Sequence, residues 1–303
     1  MWQKKGLVFV ASAQKPWMES HAYVPTPWRK DSQTIRVYVS FLDRDGRGRV
    51  GFVDVDADRP EVVLEYSKNP VIDLGSTDSF YADGVSPSSI VEVDGKLFLF
   101  FMGWKRGKYP PYQISTGLAV SVDRGETFEV IKDKPVMPLT PEDPDLRSAA
   151  FVQHIHDHFY AWYVGGEGWE EINGKPVPKT NIRFMKSSNL LDWKNRGEDI
   201  LKIDHSTIQG FARPWVYKKN NHWELWVGER SKQNTYRLVY FNSEDGLNWD
   251  GPNIPQGLEK SSSGWDSEMV AAPAVLEVNS HRILFYNGNQ FGGTGFGVAE
   301  EVD

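Results

Sequence analysis

Six ionisable side chains stand where repeated units of this sequence begin: His21, Asp83, Arg147, Arg213, Asp266 and Glu268. Carboxyl groups held close together can give a proton to a reacting bond and take one back. Guanidiniums held close together can grip a carboxylate or phosphate through their planar fork. The positions follow a period. First strands reach Pro25, Pro87, Ala150, Pro214 and Pro273, at spacings of 62, 63, 64 and 59 residues. Groups at equivalent points of every unit would converge on one axis. The competing reading is structural: Arg147, Arg213, Asp83 and Glu268 pair off as a buried ring. Such a ring is a weak stabiliser, because desolvation can exceed the Coulomb gain.

The elements that must position these groups are strands. Each unit runs from its first strand through a tight turn, an aromatic second strand and a longer loop to a third strand. The alternation in Arg36–Phe41 is that of a strand with one buried face, and Asp94-Gly95 is a two-residue hairpin turn. A regular period of several strands and almost no helix predicts an all-β, five-bladed β-propeller. Residues 1–303 read as one domain, with units at roughly 20–66, 80–133, 145–197, 208–251 and 264–303. The apolar segment 6–12 is expected to close the last unit, sparing the ring an open edge. The third strands of units two to four end alike, in SVDRGETF, SSNLLDW and NSEDGLNW. Each has a polar turn before a Phe or Trp that is expected to fold onto its own unit.

This topology puts the site where the first strands begin and the first hairpin turns on the opposite face. His154, His156, Asp157 and His158 look like a metal set, but they fall in one of those far turns, and no metal is expected. The glycine-rich stretch 287–297 lies between strands and lacks the following helix of a dinucleotide site, so no cofactor is expected either. Loops returning to the site face add Glu167, Glu229, Arg230, Lys232 and Arg237. Trp104, Trp169 and Tyr286 are possible stacking surfaces.

Composition excludes several classes. A net charge of −7 argues against nucleic acid as a partner. With no cysteine, a disulfide frame, a thiol nucleophile and a Cys-ligated metal are impossible. No apolar run approaches the ~20 residues of a membrane span, and the N-terminal residues lack a signal-peptide core, so membrane insertion is not expected and a cytoplasmic location is. The 12 Trp, 12 Tyr and 16 Phe are enough to fill the wedges between units and leave a minority for a sugar-stacking rim.

The period, with HAYVPTPW, IRVYVSFLDRDGRGRVGFVDVD, DGVSPSS, DGKLFLFFMGW, GETF, INGKPVP, GFARPWV and GWDSEMVAAPAVLEV, resembles the five-bladed glycoside hydrolases of the arabinanase, levansucrase and invertase superfamily. The likeness spans essentially the whole chain, and is strongest to a branch found with bacterial surface-polysaccharide genes. It implies a carbohydrate ligand and glycosyl chemistry by acids on the first three blades. This chain departs from that pattern. Asp83 takes the place of the orienting acid, but blade one has no acid where it begins, only Asp43 and Asp45 on a later loop. Blade three offers Arg147 where a glutamate is expected.

Hydrolysis needs two carboxyls about 5–5.5 Å apart for retention or 6.5–9.5 Å for inversion. The best pair in this chain is Glu268 as a buried acid and Asp83 as base, with Glu167 or Glu229 as substitutes. Arg147 and Arg213 are expected to clamp an anion; His21, Glu167, Glu229, Arg237, Trp104 and Tyr286 complete the binding set. The ligand expected is an anionic glycoside or sugar phosphate. Two other readings stay open: an inert propeller that binds sugar or a polysaccharide-assembly partner, and a phosphorylase or glycosyltransferase. Phosphorylases of related propellers use an arginine-lined phosphate site and a single catalytic acid.

Overall fold

The computed structural model describes residues 1–303 except 202, 234 and 303, and the protein is all-β. It begins with β1 (Trp2–Phe9), a strand of the last sheet. The first sheet is β2 (Ser20–Arg29), β3 (Thr34–Leu42), β4 (Gly48–Asp56) and β5 (Val63–Tyr66). The second is β6 (Gly84–Val93), β7 (Lys96–Arg106), β8 (Tyr112–Ser121) and β9 (Glu129–Val130). The third is β10 (Leu146–Ile155), β11 (His158–Ile172), β12 (Lys175–Ser187) and β13 (Glu198–Asp199). The fourth is β14 (Ile208–Lys219), β15 (His222–Ser231), β16 (Tyr236–Ser243) and β17 (Asp250–Asn253). The last combines β18 (Ala271–Val278), β19 (His281–Asn287) and β20 (Phe296–Glu301) with β1, in the order β1-β20-β19-β18.

Within each four, neighbours pair antiparallel; short parallel contacts join the first four sheets in turn, and among the described residues no strand ladder joins the last sheet to either neighbour. Gly48 on β4 meets Gly84 on β6, Arg147 on β10 meets Ser115 on β8, and Thr180 on β12 meets Gly210 on β14. These contacts hold the starts of the first strands side by side. β1 runs Trp2–Phe9, starting four residues before the segment 6–12 picked out by hydropathy, and pairs from Trp2↔Glu301 to Phe9↔Phe296.

The three similar turns share one device. Ser121, Ser187 and Ser243 each accept a backbone N–H two to four residues on. Asp123, Asn189 and Asp245 then each accept two more through one oxygen. Side-chain acceptors of this kind fix a turn locally. In the first two of these turns the aromatic residue that follows is not confined to its own sheet, where the sequence reading placed it, but also reaches the preceding one. Phe128 packs edge-on to Tyr38 of the first sheet at 5.5 Å, and Trp193 packs against Phe100 of the second at 6.2 Å. Each therefore fills the wedge to the preceding sheet, where apolar area is available to cover it.

His154 stacks on Phe159 with ring centroids 4.4 Å apart, at the β10–β11 turn. Among the described residues no helix is long and apolar enough to cross a membrane.

Candidate active site

All five first strands break register at the same place: Tyr23/Thr26, Pro87/Ser89, Ser148/Phe151, Ala212/Trp215 and Ala271/Ala274. Four of these bulges hold a non-glycine residue in the left-handed region: Val24 (φ 52°), Ala149 (φ 50°), Arg213 (φ 54°) and Ala272 (φ 53°). Bulges re-aim side chains, and strain repeated at one point marks a site of interest. Here the bulges ring a cavity of about 250 Å³ whose walls come from all five sheets. Met102, Ile114, Leu146 and Val164 give it an apolar lining; Arg213 and Arg230 are its charged groups. A second, more open cleft of about 460 Å³ shares Tyr23, Trp104, Tyr112 and Phe291 with it, and adds His21, Asp83 and Arg106.

Arg213 bridges three sheets. Its terminal nitrogens donate to the Ser88 carbonyl, to the Pro25 carbonyl (3.1 Å) and to Thr26 Oγ1 (2.7 Å), tying the fourth sheet to the first two. Burial pulls its pKa down to about 9, which leaves it charged at neutral pH. Arg230, on β15, donates to the Pro178 carbonyl. The adjacent Glu229 points to the opposite face of that strand, as alternation requires, and takes Arg237 Nε at 2.6 Å in a separate cleft. Only one of two neighbouring residues can face the cavity, and it is Arg230.

Arg147 does not join this site. Its guanidinium is fully buried elsewhere, bonded to the carbonyls of Pro138 (2.7 Å), Trp193 (3.1 Å) and Asn195 (2.6 Å), with Asp143 3.6 Å away. The expected Arg147–Arg213 clamp is thus corrected: Arg147 staples loops, and the second cation lining the cavity of Arg213 is Arg230. Asp266 is buried with Lys4 at 2.6 Å and the Tyr286 hydroxyl at 3.0 Å, so Tyr286 is a core residue and offers no stacking face. Glu268 is exposed and lines neither cavity, so the burial invoked to make it an acid is missing. Glu167 lies on the long β11–β12 hairpin, where it meets His205 Nε2 at 2.5 Å.

Asp83 and His21 are brought together in the open cleft. Asp83 is half-buried and takes the backbone N–H of Arg106 at 2.9 Å through one oxygen, leaving the other for a ligand. Trp104 and Tyr112, which line both cavities, lie 5.2 Å apart, and Tyr112 in turn reaches Trp169 at 5.0 Å, an aromatic run that begins at the cleft. Trp169 Nε1 donates to Asp145 at 2.9 Å. Burial pushes the Tyr112 phenol up to about 12, so it remains a hydrogen-bond donor.

Burial lowers the pKa of His21, opposed by a backbone contact with Gln290. The folded imidazole therefore stays neutral at a pH where the unfolded one, with a pKa near ~6.5, takes a proton. Stability should be full above that value and fall as pH drops from it to the folded pKa. In a pH series of urea unfolding, His21→Gln is expected to flatten this slope; parallel slopes for the two proteins would exclude His21 as its source.

No family model matches the chain. Protein Rv1502 of Mycobacterium tuberculosis is 30% identical over 298 residues, which cover 98% of each chain. Among solved structures, a complex of BT0996 with RGII superposes with a TM-score of 0.77 at 14% identity, over 99% of this chain and 92% of that one. A thermostable family-43 glycoside hydrolase gives 0.67 at 15% identity, over 92% and 88%. A structure from the GH130 family of mannoside phosphorylases, described as containing glycoside hydrolases for β-1,2 mannosidic linkages, gives 0.73 at 13%, over 99% and 93%. These likenesses show a glycoside hydrolase fold of propeller type.

Proposed function

The chain belongs to one family with protein Rv1502 and has a glycoside hydrolase-like all-β fold, and on that footing we propose that it cleaves or transfers a glycosyl group of an anionic or phosphorylated glycoside. The five sheets act as the blades of one closed ring, and the axial cavity is the sugar site. The observation that carries this reading is the pairing of Arg213 and Arg230, buried and without an acidic partner among the described residues, beside a cleft holding Asp83 and an aromatic run. Aromatic faces pack against sugar C–H groups, the guanidiniums select charge, and Asp83 handles the proton. Acidic bacterial surface polysaccharides would be a natural source of such substrates.

One further observation favours phosphorolysis over hydrolysis. Hydrolysis calls for two carboxyls at the bond, yet among the described residues Asp83 is the sole carboxylate lining the two joined cavities. A phosphate held by the arginines would itself supply the attacking oxygen. The reaction is assigned by incubating the protein with anionic oligosaccharides with and without inorganic phosphate. A sugar 1-phosphate formed only when phosphate is present means phosphorolysis, and free sugar in both cases means hydrolysis. Binding without any product would make the protein a lectin-like module and end the enzymatic reading.

A further inference from the structure

We infer that Phe291 is a sugar-binding residue, its ring one of two aromatic banks that hold a sugar where the cleft meets the axial cavity. This rests on the glycoside reading above and adds to it the residue that positions the sugar. Phe291 lines both the axial cavity and the cleft. Tyr23, Trp104 and Tyr112 line both as well, but each of these is half-buried, whereas Phe291 is 44% exposed.

An exposed ring by itself means little. The backbone sets this one apart. Residues 288–295 connect β19 to β20, and Gln290 and Phe291 are both left-handed, each with φ 55°. Such backbone is disfavoured for any residue with a Cβ, and normally occurs at single positions. The surroundings impose it. Asn289 is buried, and its side-chain oxygen accepts the N–H groups of Glu268 (2.7 Å) and Met269 (3.2 Å). Thr294 donates to the Trp265 carbonyl at 2.6 Å, and the Phe291 N–H reaches Met269 Sδ at 3.4 Å. Gly292 sits so close to β2 that a Cβ there would stand 2.7 Å from that of Tyr23. The turn is thus pinned to the last sheet and pressed against the first, and its hold depends little on the phenyl ring. Strain that carries a ring to the mouth of a cavity, and leaves it open to water, points to a ligand that covers it.

The neighbours of the ring say what kind of ligand this is. Phe291 meets Tyr236 edge-on at 5.6 Å, and Trp104 meets Tyr112 at 5.2 Å. All four rings line the axial cavity, yet among the described residues no ring contact joins the one pair to the other. They are two separate banks. Phe291 of one and Trp104 of the other also line the cleft, so both border the place where the two spaces meet. A sugar ring offers C–H groups to such banks and keeps its hydroxyls at the edge, where His21 and Asp83 line the cleft. A lone phosphate has no apolar face and would leave Phe291 as exposed as it is now.

The test is an NMR titration of the whole chain with the methyl glycosides of glucose, galactose, mannose and glucuronic acid, and with glucose 1-phosphate. Saturation transfer from protein to sugar C–H protons reports contact with the rings. The sugar bound most tightly by the wild type is then titrated into Phe291→Tyr, Phe291→Leu and Phe291→Gly. Tyrosine should keep the affinity within two-fold. Leucine should weaken it roughly three- to ten-fold, the share expected for covering the open part of one phenyl ring, and glycine at least as much. Saturation transfer should fall in both. Phe291→Gly should nevertheless melt at or above the wild-type temperature, because glycine adopts φ 55° without steric cost. Affinity lost together with a lower melting temperature in Phe291→Gly would make Phe291 a structural part of its turn and overturn the assignment. Affinity unchanged in the leucine and glycine variants but lost in Trp104→Ala would overturn it too, while upholding the glycoside reading. No sugar bound by the wild type would end both.

Discussion

Asp83→Asn is expected to lower turnover by roughly 10²–10⁴-fold, the usual contribution of a positioned acid or base, with the melting temperature nearly unchanged. The substitution is nearly isosteric, and the amide oxygen can still take the Arg106 N–H that Asp83 takes now. The backbone bond from Asp83 N to the Trp104 carbonyl, at 3.1 Å, is untouched. What disappears is the capacity to exchange a proton at the mouth of the axial cavity. Because the arginines and the aromatic run stay in place, ligand affinity should hold within a few-fold. Measured on the substrate found by titration, the loss should fall on kcat with little change in KM. Turnover that survives in Asp83→Asn would remove Asp83 from the chemistry and direct attention to Asp145, beneath Trp169.

The second large effect concerns the frame. Asp54→Ala should destabilise the protein by about 3 kcal/mol, because it strips the main partner from a buried cation. Arg36 is fully buried, and its Nε and Nη2 reach the two oxygens of Asp54 at 2.7 and 2.8 Å, a bidentate pair. Its guanidinium also lies 3.5 Å from the centroid of the Phe52 ring. Burial works against the cation, but the hydrogen bonds to Asp54 and Glu126 outweigh it and hold its pKa above the ordinary value. Glu126 is half-exposed and reaches Arg36 from the second sheet at 2.8 Å, which keeps the expected loss at the lower end of the range for broken buried pairs. At roughly 2–4 °C per kcal/mol for larger domains, the melting temperature should fall by about 6–12 °C. Lys194→Ala, which removes an exposed contact to Asp192 at 3.8 Å, should shift it by little. Similar melting points for the two variants would mean that the Arg36 pair does not hold the first sheet.

How legible a feature is in the sequence depends on whether it is periodic. The five first strands and the Ser-x-Asp or Ser-x-Asn turns repeat, and repetition reveals strands and turns without tertiary knowledge. The site residues do not repeat. Arg147 and Arg213 stand near equivalent points of two units, yet one guanidinium bonds loop carbonyls in its own sheet and the other reaches across to the first sheet. Period alone cannot tell these apart, since the difference lies in the bulge that gives Arg213 a φ of 54°. Arg230 is visible as a loop cation, but strand alternation does not say which of Glu229 and Arg230 faces the axis. Glu268 and Tyr286 mislead for opposite reasons, the one being too exposed and the other too deeply buried. The direction of Phe128 and Trp193 is hidden too, because it depends on how neighbouring sheets face each other.

The pairing of β1 with β20 has a consequence for biosynthesis. The two strands are separated by almost the entire chain, and Met1 N lies 2.9 Å from the Val302 carbonyl. At a ribosomal pace of about 5–20 residues per second, β1 waits roughly 15–60 s for its partner to be made. The sheet it completes carries Ala271, Ala272 and Asn287, one wall of the axial cavity. A nascent chain can thus fold four sheets in order as they emerge, but it cannot close the cavity wall until translation has reached its last strand.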